Sequence, residues 1–515
     1  MASGVKIDDV GSVFVLVASV LLLWIWRKLR CKTGGVSEFP RCPPGLPIIG
    51  NCMLLQSGAQ QALADLAWNQ GYGDLFGLWL GSIPTVVVSS ADLAKEILHT
   101  NDRVLANRGN YLFVKDLYYG FDTGPVFTSY NPRWVLRRKV LMLELFTAKR
   151  MQQLQPIRYG ELRRFLKRLW DSTDDGTRPV SLGQQAFVLT ANTTMLLLQS
   201  KLLENAVMDP PELVHIVEAE AMPSIGDFVP WLAWLEAFNS RRRWRVHKRI
   251  DALITSILDA RRQQIAHCSP GGLPNDFLQV LLSKEGPMDE KHLTTTEIKS
   301  IVLDLFVGGV HTSAATLEWA MSELLRHPEC MMRLREEVDG VMAKHCNGVE
   351  NIGDTLVDDD HVLLMPYLQS TVKEVMRLHP ILPLIFPRVA STSFRLNKYE
   401  LPAGTNVLLN AWAIARDPRY WDRPTEFWPD RFLNSDIDFH GQHYEFLPFG
   451  GGRRACAGMR LGLSLVHVTL ANLIYHFHWE MPYRQSIENI DMSCKGGLGN
   501  SRAVPLIVVP TKRNF

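Results

Sequence analysis

A chain of 515 residues, 46% of them hydrophobic, can bury a large core, as one big domain or as two to three ordinary ones. Its net charge of only +2 argues against a nucleic-acid binder working by bulk charge. The eight cysteines, at 31, 42, 52, 268, 330, 346, 456 and 494, include no CxxC pair; neither a zinc ribbon nor a disulfide framework is indicated, and the usage fits a reducing compartment.

At the N-terminus, Val10 to Trp26 form an uncharged apolar run followed by Arg27, Lys28, Arg30 and Lys32. With its flanks the run can just cross a bilayer core of roughly 30 Å. A cleaved signal peptide also has an apolar centre, but Asp8 and Asp9 precede this one and no small-x-small cleavage site follows it. Residues 1–30 therefore read as a single N-terminal transmembrane helix, with the basic flank keeping the main body cytosolic. Pro40 to Asn51 hold four prolines and two glycines and cannot be a helix interior. Residues 31–52 read as a basic, proline-rich hinge. No repeat or Pro/Gly/Ser-rich linker divides the remainder, so 53–515 read as one domain with no second membrane span.

Helical patterns dominate that domain, with a small β part that includes Thr85–Val88 and Thr405–Leu409. Trp134 and Arg138, at i and i+4, share one helical face. Beside Arg133, Arg137 and Lys139 they also fit a basic amphipathic surface helix. Phe228 to Leu235 is apolar and aromatic, and a dense basic run from Arg241 to Arg249 follows, which is either a solvated helix face or a docking surface. Thr294 and Glu297 have capping-box spacing. Ile298, Ile301, Val302, Leu305 and Phe306 then recur at helical spacing, and the pattern runs to His327 before Pro328 stops it. Gly308 and Gly309 in its centre each cost roughly 1 kcal/mol against alanine, so something there needs close backbone approach or a local opening of the helix. Glu374 and Arg377 can pair on a helix that ends at Pro380; taken alone they are an ordinary surface ion pair worth roughly 0–1 kcal/mol.

The stretch FGGGRRACAG spans 449–458. Cys456 by itself is a small buried hydrophobe. Its setting adds more: Gly450, Gly451, Gly452 and Gly458 let the backbone turn tightly against something flat, and Arg453 and Arg454 bring the positive charge that favours a thiolate. Backbone amides exposed by such a turn can donate to a sulfur ligand and tune a metal.

Phe449-x-x-Gly452-x-Arg454-x-Cys456-x-Gly458 resembles the haem-binding loop of the cytochrome P450 family. The motifs above stand in that family's order from 134 to 458, and with the anchor and hinge the resemblance covers nearly the whole chain. It implies the mostly α cytochrome P450 fold with a small β part, and haem b as cofactor with Cys456 as the metal ligand. By the same resemblance Phe449, Gly452 and Gly458 build the cofactor loop. Arg454, Trp134, Arg138 and Arg388 (in Phe386-Pro387-Arg388) match contacts to the haem propionates. Glu374, Arg377 and Arg431 match a structural triad behind the haem; Asp430 stands where the family often has glutamate. Thr312 matches the threonine that hydrogen-bonds dioxygen and its proton-delivering water. His311 occupies the family's acid position and either relays protons or hydrogen-bonds helix backbone.

Asn410 to Pro418 resembles the plant microsomal branch, while Cys494 and Gly499-Asn500 look unusual there, near a substrate-contacting turn. The resemblance places Tyr118, Tyr119, Phe121, Leu305, Val310, Leu382, Leu384 and Ile385 around the pocket, and the stretch near Phe228–Leu235 against the membrane. It implies an endoplasmic reticulum monooxygenase that takes electrons from NADPH-cytochrome P450 reductase. It would insert one atom of O2 into a hydrophobic small molecule, with an aromatic ring of a phenylpropanoid or flavonoid as the expected target. Membrane lipid is an expected partner and nucleic acid is not. Terpenoid or alkaloid hydroxylation, a haem-thiolate isomerase or dehydratase, and a haem sensor are the alternatives.

Overall fold

The computed structural model describes residues 17–19, 39–56, 58–202, 217, 220–221, 223–267, 276–344, 352–482, 486–496 and 499–513. Residues 17–19 are helical; the rest of the expected anchor and its basic flank lie outside the described residues.

A mixed sheet forms one side of the molecule. Its strands are β1 (Leu75–Leu80), β2 (Ile83–Val88), β3 (Leu384–Val389) and β4 (Asn406–Asn410), in the order β1–β2–β4–β3. β1 and β2 are antiparallel, β2 runs parallel to β4 with Val86 opposite Val407, and β3 is antiparallel to β4. Val86, Val87 and Val88 are completely buried, which is why this run is β-branched throughout rather than alternating. The β3–β4 register breaks between Ile385 and Arg388, at Pro387, which has no N–H to give to a ladder.

β1 is an edge strand, and edges need cover. The proline-rich segment supplies it. Gly77 N donates to Arg41 O (2.9 Å), Asn51 N donates to Trp79 O (2.6 Å), and Trp79 N donates to Asn51 Oδ1 (3.0 Å). Gly50, at φ +60, lies so close that a methyl group on it would sit 2.1 Å from Trp79 O.

The helices that place the site are α1 (Pro132–Val140), α2 (Leu182–Gln199), α3 (Ala237–His267), α4 (Thr295–Arg326), α5 (Pro366–Leu378) and α6 (Met459–His476). α4 has 32 residues and is roughly 48 Å long at 1.5 Å per residue. Its start is the expected capping box: Glu297 N donates to Thr294 Oγ1 (3.3 Å) and Thr294 N to Glu297 Oε2 (2.9 Å). It is apolar and long enough to cross a membrane, but Leu303, Leu317, Ala320 and Leu324 are fully buried against the rest of the protein, so it is the core helix. It packs on α2 and α6. The helix is unbroken at its glycine pair. Close approach is the reason for one of them, since a methyl on Gly309 would lie 3.1 Å from Thr194 Oγ1 of α2.

The loop between residues 118 and 131 is pinned to α4. Val126 N donates to Asp304 Oδ2 (3.2 Å), and Gly124 lies so near that a methyl on it would sit 2.7 Å from Ser300 Oγ and 2.9 Å from Asp304 Oδ2. Burial raises the Asp304 carboxyl to about 7, against the opposing pull of the Val126 amide and Arg137. A raised folded-state value means that the folded protein holds this proton more tightly than the unfolded chain. The contribution to stability is full below the ordinary value of 3.8 and is lost as pH rises through about 7. Asp304→Asn should therefore flatten the stability–pH curve between these limits. Urea unfolding of both proteins on either side of that window tests this; parallel curves would contradict it.

Candidate active site

Asn131 starts α1: its side chain accepts from Trp134 N (2.7 Å), and Pro132 fits the first turn, whose N–H groups have no helical partner. This start turns Trp134 and Arg137 inward. Both are buried, so α1 is not an amphipathic surface helix. Trp134 Nε1 donates to Pro125 O (2.8 Å), and Arg137 donates to Asp122 O (2.6 Å). Arg138 reaches across to Ala455 O (2.6 Å), in the cysteine loop.

That loop is built on tight glycine geometry. Gly450 and Gly452 have φ +67 and +63, which glycine adopts at little cost. A methyl on Gly452 would also lie 2.3 Å from Asp102 Oδ1. Asp102 gathers Arg388 (3.0 Å), the Arg453 side chain (2.8 Å) and Arg453 N (3.0 Å). Cys456 N donates to Phe449 O (2.9 Å), which closes the loop. Gly458 has no such steric demand, since a methyl there would meet only Phe146 Cζ at 4.0 Å.

Four guanidiniums meet beside the cysteine. Arg388 donates to Gly451 O (2.7 Å). Arg454 lies over the Trp134 ring (4.3 Å to its centroid) and donates to Ala106 O (2.8 Å) and Pro125 O (3.3 Å). Arg108 donates to Phe386 O (2.9 Å) and Pro387 O (3.0 Å), the carbonyls at the register break in β3. Arg138 completes the set. Burial is the largest influence on all four and pushes each below the ordinary arginine value. For Arg454 the cations Arg108, Arg388, Arg138 and Arg137 add to it and take the group to about 8; Arg108, repelled by Arg388, falls to about 9. Arg388 Nε is buried with no hydrogen-bond partner. A buried cluster of this kind suits fork-accepting anions, as the two propionates of haem are.

The Cys456 side chain is exposed by its own surface, yet burial is the main influence on its thiol and raises it. Both hold because the sulfur faces space enclosed by protein. The Gly458 and Met459 amides and Arg138 act in the opposite direction and favour the thiolate. Beyond it, Gly462 of α6 approaches Ser313 of α4, with a methyl on it 3.8 Å from Ser313 Oγ, so the cysteine segment and the centre of α4 are neighbours. On that part of α4 Gly308 is exposed, with nothing within 4 Å of where a methyl would stand, and Thr312 Oγ1 donates to Gly308 O (2.8 Å). A cysteine sulfur, amides aimed at it, an anion-seeking cluster and open room before Gly308 fit haem. His311 is half-buried and turned towards the C-terminal segment at Gly499. Of the residues expected around the pocket, Leu305 is half-buried, whereas Val310 is sealed in the core and Tyr118 packs edge-on against Phe127 (5.1 Å).

Glu374 and Arg377 are not a surface pair; both are fully buried. Arg377 meets both carboxylate oxygens (2.7 and 2.8 Å) and spends its other donors on Ala415 O, Pro424 O and Glu426 O (2.7, 2.7 and 3.1 Å). Arg431 Nε adds a second cation at 3.0 Å, and Trp428 N donates to the same Oε1 (2.9 Å). Asp430 points away and pairs with Arg333 (2.6 Å), so the departure there leaves the triad intact. Sequence reasoning missed Arg108 and Asp102; neither carries a spacing signal, and only the folded register break and loop bring them in.

The basic run splits. Arg243 is buried and donates to Glu220 O (3.2 Å), and Arg242 pairs with Glu220 (2.6 Å), while Lys248 lies over the Trp244 ring (3.7 Å). Beside it Trp231, Trp234 and Phe238 are 64, 70 and 72% exposed, an aromatic surface rather than core.

Comparison with known proteins agrees with this geometry. The family profile described as Cytochrome P450 matches residues 40–504. A flavonoid 3'-monooxygenase of Petunia hybrida is 35% identical over 517 residues, covering 97% of each chain. A flavonoid 3'-monooxygenase of Arabidopsis thaliana is also 35% identical, covering 97% of this chain and 96% of its own, and cytochrome P450 76C1 of Arabidopsis thaliana is 32% identical, covering 97% of each. Among solved structures, a zebra fish cytochrome P450 with abiraterone superposes with a TM-score of 0.72 at 25% identity, covering 88% of this chain and 99% of that one.

Removing one partner of a buried, fully bonded ion pair strands the other charge, at a cost of about 3–5 kcal/mol. Glu374→Ala should lose stability on that scale in urea unfolding. A loss below about 1 kcal/mol, the scale of an exposed pair, would contradict the buried triad.

Proposed function

The chain belongs to the cytochrome P450 family, and on that premise we propose that it is a microsomal monooxygenase hydroxylating an aromatic ring of a flavonoid or phenylpropanoid. The observation that carries the substrate class is the near full-length similarity to flavonoid 3'-monooxygenases at 34–35% identity. Haem, when bound, supplies the activation of O2, which a thiolate ligand favours by donating electron density, as is general for this enzyme class.

The protein's own residues take the following parts. Cys456 is the iron ligand, in a loop shaped by Phe449, Gly452 and Gly458. Arg454, Arg138, Arg388 and Trp134, joined by Arg108, hold the propionates. Glu374, Arg377 and Arg431 brace the loop segment 415–428 behind the site and touch no substrate. The Thr312 hydroxyl, now bonded to the Gly308 carbonyl, is free to rotate towards a proton-delivering water, and bare Gly308 leaves room for the substrate ring. His311 replaces the family's acid and relays protons to Thr312 through water, since its ring faces Gly499 rather than the hydroxyl.

Residues 1–30 form the membrane anchor; the proline-rich stretch expected as a hinge is docked on β1 through Arg41, Gly50 and Asn51, so it belongs with 53–515 to the catalytic domain, which is cytosolic at the endoplasmic reticulum. The exposed Trp231, Trp234 and Phe238 suit the bilayer interface beside the substrate entrance. Electrons come from NADPH-cytochrome P450 reductase. A second reading, a haem-thiolate isomerase or dehydratase needing no reductase, is favoured only by histidine in place of the acid.

The test is turnover of a flavonoid and phenylpropanoid panel in microsomes with a plant reductase. An NADPH-dependent gain of one oxygen is expected; an NADPH-independent product of unchanged oxygen content would favour the second reading. In the same assay His311→Ala should lower the product formed per NADPH consumed. Unchanged coupling and rate would remove His311 from proton delivery.

A further inference from the structure

Nothing in its backbone explains why residue 499 is glycine. Its φ lies outside the left-handed region that Gly450 and Gly452 occupy. What excludes a side chain there is His311. A methyl on Gly499 would sit 2.7 Å from the imidazole Cε1 and 2.9 Å from Nδ1, well inside van der Waals contact. The other neighbour within reach, Ile381 Cγ2 at 3.8 Å, would be an ordinary contact.

The segment carrying Gly499 is tied in place from two sides. Asn500 N donates to Ile381 O (2.8 Å), and Asn500 O accepts from Trp319 Nε1 (2.8 Å). Trp319 lies further along α4 and is buried; it stacks on His379 (4.0 Å between centroids), whose Nε2 meets Glu323 (2.6 Å). The helix that carries His311 thus also holds the segment facing it, and the backbone at 499 has little freedom to retreat. A side chain at 499 would displace the imidazole rather than the backbone.

We infer that Gly499 is a positioning residue for His311: the bare α-carbon of the C-terminal segment is the surface on which the imidazole rests, and it keeps the ring out of the space before Thr312. Two positions at which this chain departs from its family's pattern, His311 and Gly499, are therefore one contact. The inference rests on the proposed place of His311 beside the haem, but not on its handling protons.

The test uses the full-length haem protein and four sequences: wild type, Gly499→Ala, His311→Ala and the double variant. The probe is 4-phenylimidazole, which ligates haem iron and fills the space before α4, titrated by its absorption shift. Gly499→Ala should weaken its binding about tenfold in the wild-type background and not at all when His311 is alanine, the mark of two residues acting through one contact. Equal weakening in both backgrounds, or none in the wild type, would overturn the inference. If Gly499→Ala alone fails to assemble with haem, assembly of the double variant supports the contact and its failure overturns it. The coupling of His311→Ala, measured separately, decides the proton role.

Discussion

Four guanidiniums that face one another, Arg108 and Arg388 buried and Arg138 and Arg454 half-buried, set the terms for the centre of this fold. Arg108, Arg138, Arg388 and Arg454 come from four separate stretches of chain, and each donates to carbonyls of another stretch: Arg138 to Ala455, Arg388 to Gly451, Arg454 to Ala106, and Arg108 to Phe386 and Pro387. Carbonyl oxygens solvate a cation without neutralising it. The Asp102 carboxylate meets part of the demand, at Arg388 and Arg453. The remaining charge would favour the two carboxylates of haem, and the same arginine–carbonyl contacts tie β3 and its neighbours to the cysteine loop and α1.

α4 organises the other half. Its capped start fixes its phase, and one helix then carries Asp304 against the loop at Val126, Gly309 against Thr194, Ser313 towards Gly462 beyond the cysteine, and Trp319 under Asn500. Behind it Glu374 accepts from Arg377, Arg431 and Trp428 N, and the two arginines give their remaining donors to carbonyls between 415 and 426, which holds an irregular segment without secondary structure of its own. Rigid surroundings of this sort suit a site whose protein groups must bind and orient rather than react.

Local chemistry was legible in the sequence and long-range chemistry was not. The Thr294 capping box, the stop at Pro328 and the Thr85–Val88 strand depend on neighbours within a few residues, and all three appear as expected. The i,i+3 pair of Glu374 and Arg377 reads the same in water and in a core; what buries it lies 38 to 49 residues beyond Arg377, in Ala415, Pro424 and Glu426, and no periodicity points there. Arg108 was missed because its partners are the carbonyls left over where Pro387 interrupts a ladder. Val310 follows the helical face correctly but points into the core. The proline-rich stretch, stiff by composition, finds its place only because β1 leaves an edge to cover.

The most direct test of the arginine cluster is the haem content of the purified full-length protein with Arg454→Gln, beside its helix content by circular dichroism. Removing one of several repelling cations should leave the helices intact while haem per chain falls. Full haem content in that variant would mean that the cluster does not hold the cofactor, and the electrostatic account of the site would be wrong.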